Sequence, residues 1–160
     1  MNKLFKNATM IRTKMNFILF NVIIMMMAVI AVYNYNESKN NLFESVENKM
    51  YSDLKLGDAY INAQFPGDWQ IIDGELHKGE LNVVGDTAIV DNIRELTNGN
   101  LASIFQDRTR ISTNIIGDGE RALNTEVSEE VAKGVVDEET RYIGTEPVVG
   151  DEAIAVYEPI

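Results

Sequence analysis

The chain has 160 residues, contains no cysteine and one histidine, and carries a formal net charge of −11. The absence of cysteine excludes disulfides, thiolate metal sites and a cysteine nucleophile, while the single histidine, His77, leaves little room for Ser-His-Asp chemistry or histidine-rich metal sites. All 25 acidic residues but only ten of the 14 basic ones follow residue 33, so the part from residue 34 onward has a formal charge of −15. That charge argues against nucleic acid or an anionic lipid surface as its partner.

The first predicted element is a membrane-spanning helix over residues 15–33. This stretch carries no charge, and only Asn16 and Asn21 interrupt its apolar run. A helix of this length covers roughly 28 Å, close to the ~30 Å hydrocarbon thickness of a bilayer. Only a helix is expected to cross there, because each backbone N–H and C=O must be paired inside the segment.

The charges around this helix predict its orientation. Four cations precede the apolar run: Lys3, Lys6, Arg12 and Lys14. They predict that residues 1–14 are cytoplasmic and that everything from residue 34 onward lies outside. The alternative is a cleaved secretory signal, but the run is long for a signal core and no A-x-A site follows it, although Val29 and Ala31 form a passable substitute. Both interpretations place the rest of the chain outside the cytoplasm, and an uncleaved cell-membrane anchor is favoured.

Residues 34–65 are predicted to form a long membrane-proximal helix. Apolar residues recur every four positions in this segment at Leu42, Val46, Met50 and Leu54. Two interpretations stay open and do not exclude each other: a dimer-forming signalling stalk, and a helix packed on its own domain.

The remaining residues, 66–160, are predicted to alternate short strands with short helices. Asp73-Gly74 indicates a hairpin turn, and Ser128 is a good helix N-cap. The predicted elements are a hairpin at 69–78, a strand at 81–84, a helix at 87–97, strands at 101–106 and 109–115, a helix at 128–137, and strands at 141–149 and 153–160. This order predicts an α+β domain built on an antiparallel sheet.

Several segments of this part together carry a family pattern. They are WQIIDGELHKG, AIVDNIRELT, SIFQDRTRISTNI, GERALNT, SEEVAKGVV and RYIGTEPVVGDEAIAVYEPI, and the most specific residues are 104–114, 142–144 and 157–159. In these segments the chain resembles the extracellular single Cache sensor domain of bacterial methyl-accepting chemotaxis proteins. The resemblance covers residues 69–160, and one departure is Asn124, where the family usually has glycine.

The resemblance implies a PAS-like fold in which a long N-terminal helix packs on a central antiparallel sheet. It implies a homodimer that binds a small molecule, often a short carboxylate. No cofactor is predicted. Such receptors continue into a second membrane helix, a HAMP linker and a coiled coil that acts on a cytoplasmic chemotaxis kinase and its adaptor. The chain is therefore expected to be an N-terminal part, with a Cache domain over residues 66–160 that is incomplete at its C-terminus.

The ligand pocket is predicted at six residues. Arg110, with its strand neighbours, would offer a guanidinium fork and polar groups to a carboxylate, and the aromatic residues would enclose an apolar tail. The six are Phe105, Arg110, Ser112, Asn114, Tyr142 and Tyr157. The alternatives are a surface or dimer-interface position for Arg110, core packing for the aromatic residues, and the solvent side of an edge strand for Ser112 and Asn114.

Two other classes of function compete with the chemoreceptor. The same sensor also fits a membrane histidine kinase or a cyclic-dinucleotide enzyme, which differ in their output domains. An anchored extracellular hydrolase needs a nucleophile–base pair or paired catalytic carboxylates, and the sequence marks neither. No catalytic residue and no metal site is predicted.

Overall fold

A computed structural model describes the backbone of residues 2–160 and the side chains of residues 12–160. The chain divides into two units, one that ends at Ser45 and one from Val46 to Ile160. Lys3 and Lys6, which entered the orientation prediction, lie outside the described side chains. The elements are α1 (Asn2–Gln64), β1 (Trp69–Ile72), β2 (Glu75–Lys78), β3 (Leu81–Asn82), α2 (Ala88–Leu96), β4 (Ser103–Gln106), β5 (Thr109–Thr113), β6 (Ile116–Gly117), β7 (Glu120–Arg121), α3 (Glu129–Val131), a π-helix (Ala132–Asp137), β8 (Tyr142–Val148) and β9 (Asp151–Tyr157).

The part of α1 at residues 15–33 is apolar around the whole helix circumference apart from Asn16 and Asn21. Its side chains are exposed, as Phe17, Met25 and Tyr33 illustrate. The amide of Asn21 donates to the carbonyl of Phe17 at 2.8 Å, so this polar side chain is paired within the helix. Of the described residues, the stretch Arg12–Gln64 is long and apolar enough to cross a membrane by length and composition.

The core of the second unit joins the end of α1 to the first hairpin, α2 and β5. Its buried members are Ile61, Leu76, Val83, Ile89 and Ile111. Each comes from a different segment, so their burial ties helices and strands into one α+β fold.

In the part of the chain that the structure describes, the strands form four small antiparallel sheets rather than the single central sheet that the resemblance implies. One has the order β1-β2-β3, and the others are the pairs β4-β5, β6-β7 and β8-β9. The side chain of Gln106, at the end of β4, bridges two of these sheets. Its Oε1 accepts from the backbone N–H of Leu76 at 3.0 Å and its Nε2 donates to the carbonyl of Gly74 at 2.9 Å. A side-chain amide thus connects the two hairpins here.

The predicted helix at 128–137 begins as expected and then changes type. Ser128 Oγ accepts from the N–H of Val131 at 3.3 Å, which confirms the predicted N-cap. After one turn the chain becomes π-helical up to Asp137. The valines of this segment still present an apolar side, because Val131 is buried and Val135 is half-buried.

Candidate functional site

Three aromatic residues and one arginine form a cluster where the β4–β5 hairpin meets the β8–β9 hairpin. The rings of Phe105 and Tyr157 are 5.9 Å apart between centroids, and those of Tyr142 and Tyr157 are 6.1 Å apart. The guanidinium of Arg110 lies 5.1 Å from the centre of the Phe105 ring. Phe105 pairs with Arg110 across one hairpin, and Tyr142 pairs with Tyr157 across the other. The strand registers therefore bring together four of the six predicted residues, which we call the arginine cluster.

Residues 122–125, which follow β7, form hydrogen bonds with Arg110. Its Nη1 donates to Thr125 Oγ1 at 2.7 Å and, more weakly, to the carbonyl of Ala122 at 3.4 Å. The backbone N–H and C=O of Arg110 pair with Thr125 and Asn124. Asn124 has a φ of 58°, the left-handed conformation that asparagine tolerates and glycine would favour. The one departure from the family pattern therefore keeps the local loop geometry.

Arg110 has no acidic partner among the described residues. Its Nε is buried and makes no hydrogen bond, and no described carboxylate forms a salt bridge with it. Burial lowers the pKa of Arg110, while the nearby Tyr157 hydroxyl acts in the opposite direction. Burial also shifts the pKa of Tyr157, which it raises because the tyrosine is neutral when protonated. A half-buried cation that lacks a counter-ion is electrostatically suited to receive an anion.

Ser112 and Asn114 lie apart from the arginine cluster and bond to the backbone. Ser112 Oγ donates to the carbonyl of Asp86, and Asn114 Nδ2 donates to the carbonyl of Val90 at 2.7 Å. A bulge explains the separation from Arg110, because the register pairs Ile104 with Ser112 and Phe105 with Arg110 and so skips Ile111. The two-residue alternation that placed all three polar residues on one face is interrupted there. Ligand contact by the six residues stays a prediction.

A cavity of about 340 Å³ adjoins the arginine cluster, and Phe105 and Tyr157 belong to its lining. Its size lies at the lower end of the roughly 300–1,000 Å³ of small-molecule pockets. Most other lining residues are apolar and come from α1, α2, β4 and the π-helix, with Leu54 and Val135 as examples. Among the described residues, the lining does not include Arg110 or Tyr142. The lining also includes four carboxylates, so the cavity is mostly apolar but carries acidic groups; these are Asp53, Asp58, Asp107 and Glu158.

The family model for single cache domain 3 matches residues 81–160, which is half of the chain. The chain belongs to the single Cache domain 3 family. Neither the curated proteins nor the solved structures gave a match. A Cache domain is an extracellular sensor domain of a signalling protein, and the α+β fold agrees with that assignment. The long apolar α1 fits an N-terminal membrane anchor by length and composition.

The sequence analysis missed two residues of the Cache domain next to the arginine cluster, Gly144 and Glu146. Tyr142 donates its hydroxyl to Glu146 Oε1 at 2.7 Å, and Glu146 is only 6 % exposed. Gly144 lies between them on the same face of β8, and a Cβ there would collide with the Tyr142 ring. The spacing Tyr-x-Gly-x-Glu was the available signal, since alternate residues of a strand share a face.

Tyr142 provides a pH-dependent test of this arrangement. The hydrogen bond to Glu146, followed by burial and the Glu146 charge, raises the pKa of Tyr142 from 10.0 to about 12. The folded chain therefore holds the phenol proton of Tyr142 more tightly than the unfolded chain does. The resulting stabilisation is complete below pH 10 and is lost as the pH rises towards 12. We expect the unfolding free energy of the parent chain to fall more steeply than that of Tyr142→Phe over this window, measured by urea unfolding at each pH.

Gly144→Ala is the matched variant for this test. The added methyl group forces the tyrosine ring away from Glu146, so the pKa of Tyr142 should return towards its ordinary value. Ultraviolet titration of the phenolate, with Tyr142→Phe subtracted, measures that pKa directly. A parent tyrosine that titrates near pH 10, or an unchanged titration in Gly144→Ala, would contradict the Tyr142–Glu146 contact.

Proposed function

We propose that the chain is the ligand-sensing part of a bacterial transmembrane chemoreceptor and that it binds a small organic acid at the arginine cluster. The observation that carries the proposal is the half-buried Arg110, whose Nε has no hydrogen-bond partner. A ligand carboxylate would supply both the missing acceptor and the missing negative charge. Charge-assisted hydrogen bonds of this kind are about twice as strong as neutral ones.

The aromatic residues of the cluster support binding of a small organic molecule. Phe105 lies within cation–π distance of the guanidinium, which leaves the unpaired Nε of that group for a hydrogen bond to a carboxylate. Phe105 and Tyr157 also line the adjoining cavity, which offers apolar surface to the rest of a ligand. Small-molecule sites typically combine largely apolar walls with a few polar or charged groups.

Contacts between α1 and the residues that flank β8 and β9 support transmission of the signal. Arg141, which precedes Tyr142, lies 4.1 Å from the centre of the Tyr51 ring on α1. Glu158, which follows Tyr157, forms a salt bridge of 2.7 Å with Lys55 of α1. A ligand that moves the paired tyrosines would therefore displace residues that hold one turn of α1. Transmission requires only that the ligand prefer one helix arrangement by a few kcal/mol.

The proposed receptor is a homodimer in the cell membrane, with no enzymatic activity of its own. In the full-length protein it would act through a cytoplasmic chemotaxis kinase and adaptor, with a second membrane helix. The resemblance of residues 104–114 and 157–159 to chemoreceptor sensors supports this output. The alternative output is a histidine kinase or a cyclic-dinucleotide enzyme, and the sequence of the output domain distinguishes the two.

Calorimetry on the 160-residue chain in lipid nanodiscs tests the binding proposal. We expect at least one member of a panel of short organic acids and amino acids to bind saturably. Arg110→Ala should weaken that binding at least about tenfold, because each lost hydrogen bond to a charged group is worth about 1.5–3 kcal/mol. Arg110→Lys should restore part of the affinity, since it keeps the charge but not the planar fork.

The exposed Arg94 of α2 provides the control. Arg94→Ala removes the same charge from the Cache domain at a distance from the arginine cluster, so its affinity should equal that of the parent chain. The proposal fails if no panel member binds the parent chain, or if Arg110→Ala and Arg94→Ala bind equally well.

A further inference from the structure

The segment of residues 128–140, which contains α3 and the π-helix, forms one wall of the cavity. Val131 and Val135 on one side of the segment belong to the cavity lining. Lys133 and Glu138 on its other side are exposed to solvent. A single helical segment therefore separates the cavity from water on this side.

One side chain makes the hydrogen bonds that attach this segment to the rest of the second unit. Arg108, in the turn between β4 and β5, donates from Nη1 to Glu129 Oε1 at 3.1 Å and to Glu129 Oε2 at 3.2 Å. Its Nη2 donates to Asp137 Oδ2 at 3.5 Å. Among the described residues, no other hydrogen bond joins residues 128–140 to the rest of the chain. One guanidinium thus holds both the beginning and the end of the helical segment.

These contacts of Arg108 are exposed and are easily broken. The Arg108 side chain is 40 % exposed, that of Asp137 is 54 % exposed and that of Glu129 is 90 % exposed. Water competes for ion pairs of this kind, so each contributes little to stability. The neighbouring wall, α2, is held differently, because its Val90 carbonyl accepts from the buried Asn114 amide at 2.7 Å. The wall that Arg108 holds is the weaker of the two.

The backbone of the same segment also favours rearrangement. The stretch Ala132–Asp137 is π-helical, a rare form that is frequent at functional sites. Glu139 follows with a φ of 51°, a left-handed conformation in which a residue other than glycine is strained. Opening the segment would relax the backbone at both places.

From these observations we propose that residues 128–140 form a lid, held shut by Arg108, that opens to admit molecules to the cavity. The lid lies between two fixed points. Before it, the N–H of Val127 donates to the carbonyl of Arg108 at 3.1 Å, and after it β8 begins at Tyr142. Loss of the Arg108 side-chain contacts releases the lid while the strand pairs and the core stay intact. The inference does not depend on the identity of the ligand and goes beyond the proposed function by supplying an entry route.

Thiol labelling of single cysteines tests the lid on the 160-residue chain in lipid nanodiscs, because the native sequence contains no cysteine. Val131→Cys places a thiol beneath the lid, where the native residue is 1 % exposed. Val83→Cys places one in the core, where the native residue is 0 % exposed. We expect N-ethylmaleimide to label position 131 at least about tenfold faster than position 83, since local opening requires less free energy than global unfolding.

Substitutions of Arg108 test its role in holding the lid shut. In the Val131→Cys chain, Arg108→Ala should raise the labelling rate about threefold to tenfold, because it removes both exposed ion pairs. Arg94→Ala, which removes an exposed arginine of α2, should leave the rate unchanged. Equal rates in these two variants would overturn the role of Arg108.

Equal labelling at positions 131 and 83 would overturn the lid itself, because both thiols would then report the same global unfolding. Amide hydrogen exchange on the unsubstituted chain decides the same question even if Val131→Cys does not fold. The amides of the π-helix should exchange at least about tenfold faster than those of α2, and equal exchange would contradict the lid. None of these measurements uses a ligand, so a failure of the lid and a failure of the organic-acid receptor are distinguishable.

Discussion

Replacing Asn114 by alanine is expected to lower the free energy of unfolding by about 2–4 kcal/mol. The Asn114 amide donates to the carbonyl of Val90 at 2.7 Å and accepts from the N–H of Ala102 at 2.9 Å, and the residue is 2 % exposed. Alanine would leave the half-buried N–H of Ala102 without its acceptor and would remove the buried hydrogen bond to the Val90 carbonyl, and each such loss costs about 1–3 kcal/mol. Urea unfolding followed by the fluorescence of Trp69, the single tryptophan, measures the loss.

Asn92→Ala is the matched control for this prediction. The Asn92 amide donates to the Tyr60 hydroxyl at 2.7 Å, but Asn92 is exposed. Water can replace that bond, so the expected loss is below about 1 kcal/mol. Similar losses for the two variants would show that the Asn114 bonds do not stabilise the fold.

This result would also decide between two roles for a residue that the sequence placed in the ligand pocket. If Asn114 has a structural role, the alanine variant should lose stability, while the fraction that remains folded should bind ligand with the affinity of the parent chain. If Asn114 instead contacts the ligand, the variant should lose affinity for the ligand and keep most of its stability. Binding must therefore be compared at a temperature where both chains are folded, since unfolding by itself lowers the apparent affinity.

The main features of the fold could be predicted because they depend on local patterns. The apolar run of residues 15–33 predicts a helix by length alone, and Asp73-Gly74 predicts the first hairpin because both residues have positive φ there. Ser128 predicts a helix start from its side-chain chemistry. Each of these signals is contained in a few neighbouring residues.

The candidate site was only partly predictable because its geometry depends on contacts that are distant in sequence. The bulge at Ile111 separates Arg110 from Ser112 and Asn114, and no turn residue marks it. Glu146 looked like one of many surface acids in a chain with 25 of them. Its burial becomes evident only once β8 is paired with β9, which shows the face that it shares with Tyr142. Strand pairing, not composition, identifies it as part of the site.

Gly79→Ala is expected to destabilise the second unit by about 3 kcal/mol or more. Gly79 has a φ of 57°, and a Cβ at this position would overlap the carbonyl of Pro66, just after α1. Gly67 also lies against the backbone of Gly79, and the N–H of Gly79 donates to the carbonyl of Asp68 at 3.1 Å. Because the obstacle is backbone, the alanine cannot be accommodated by rotating a side chain, and one segment must move.

Gly74→Ala separates this contact from ordinary backbone strain. Gly74 also has a positive φ, 87°, but nothing lies within 4 Å of a Cβ built there. Its replacement should cost only the left-handed strain of about 1–2 kcal/mol. Urea unfolding followed by Trp69 fluorescence compares the two variants. A larger loss in Gly79→Ala means that this contact fixes the end of α1 against the first hairpin, as a helix that relays ligand binding requires. Equal losses would mean that the end of α1 is not held there.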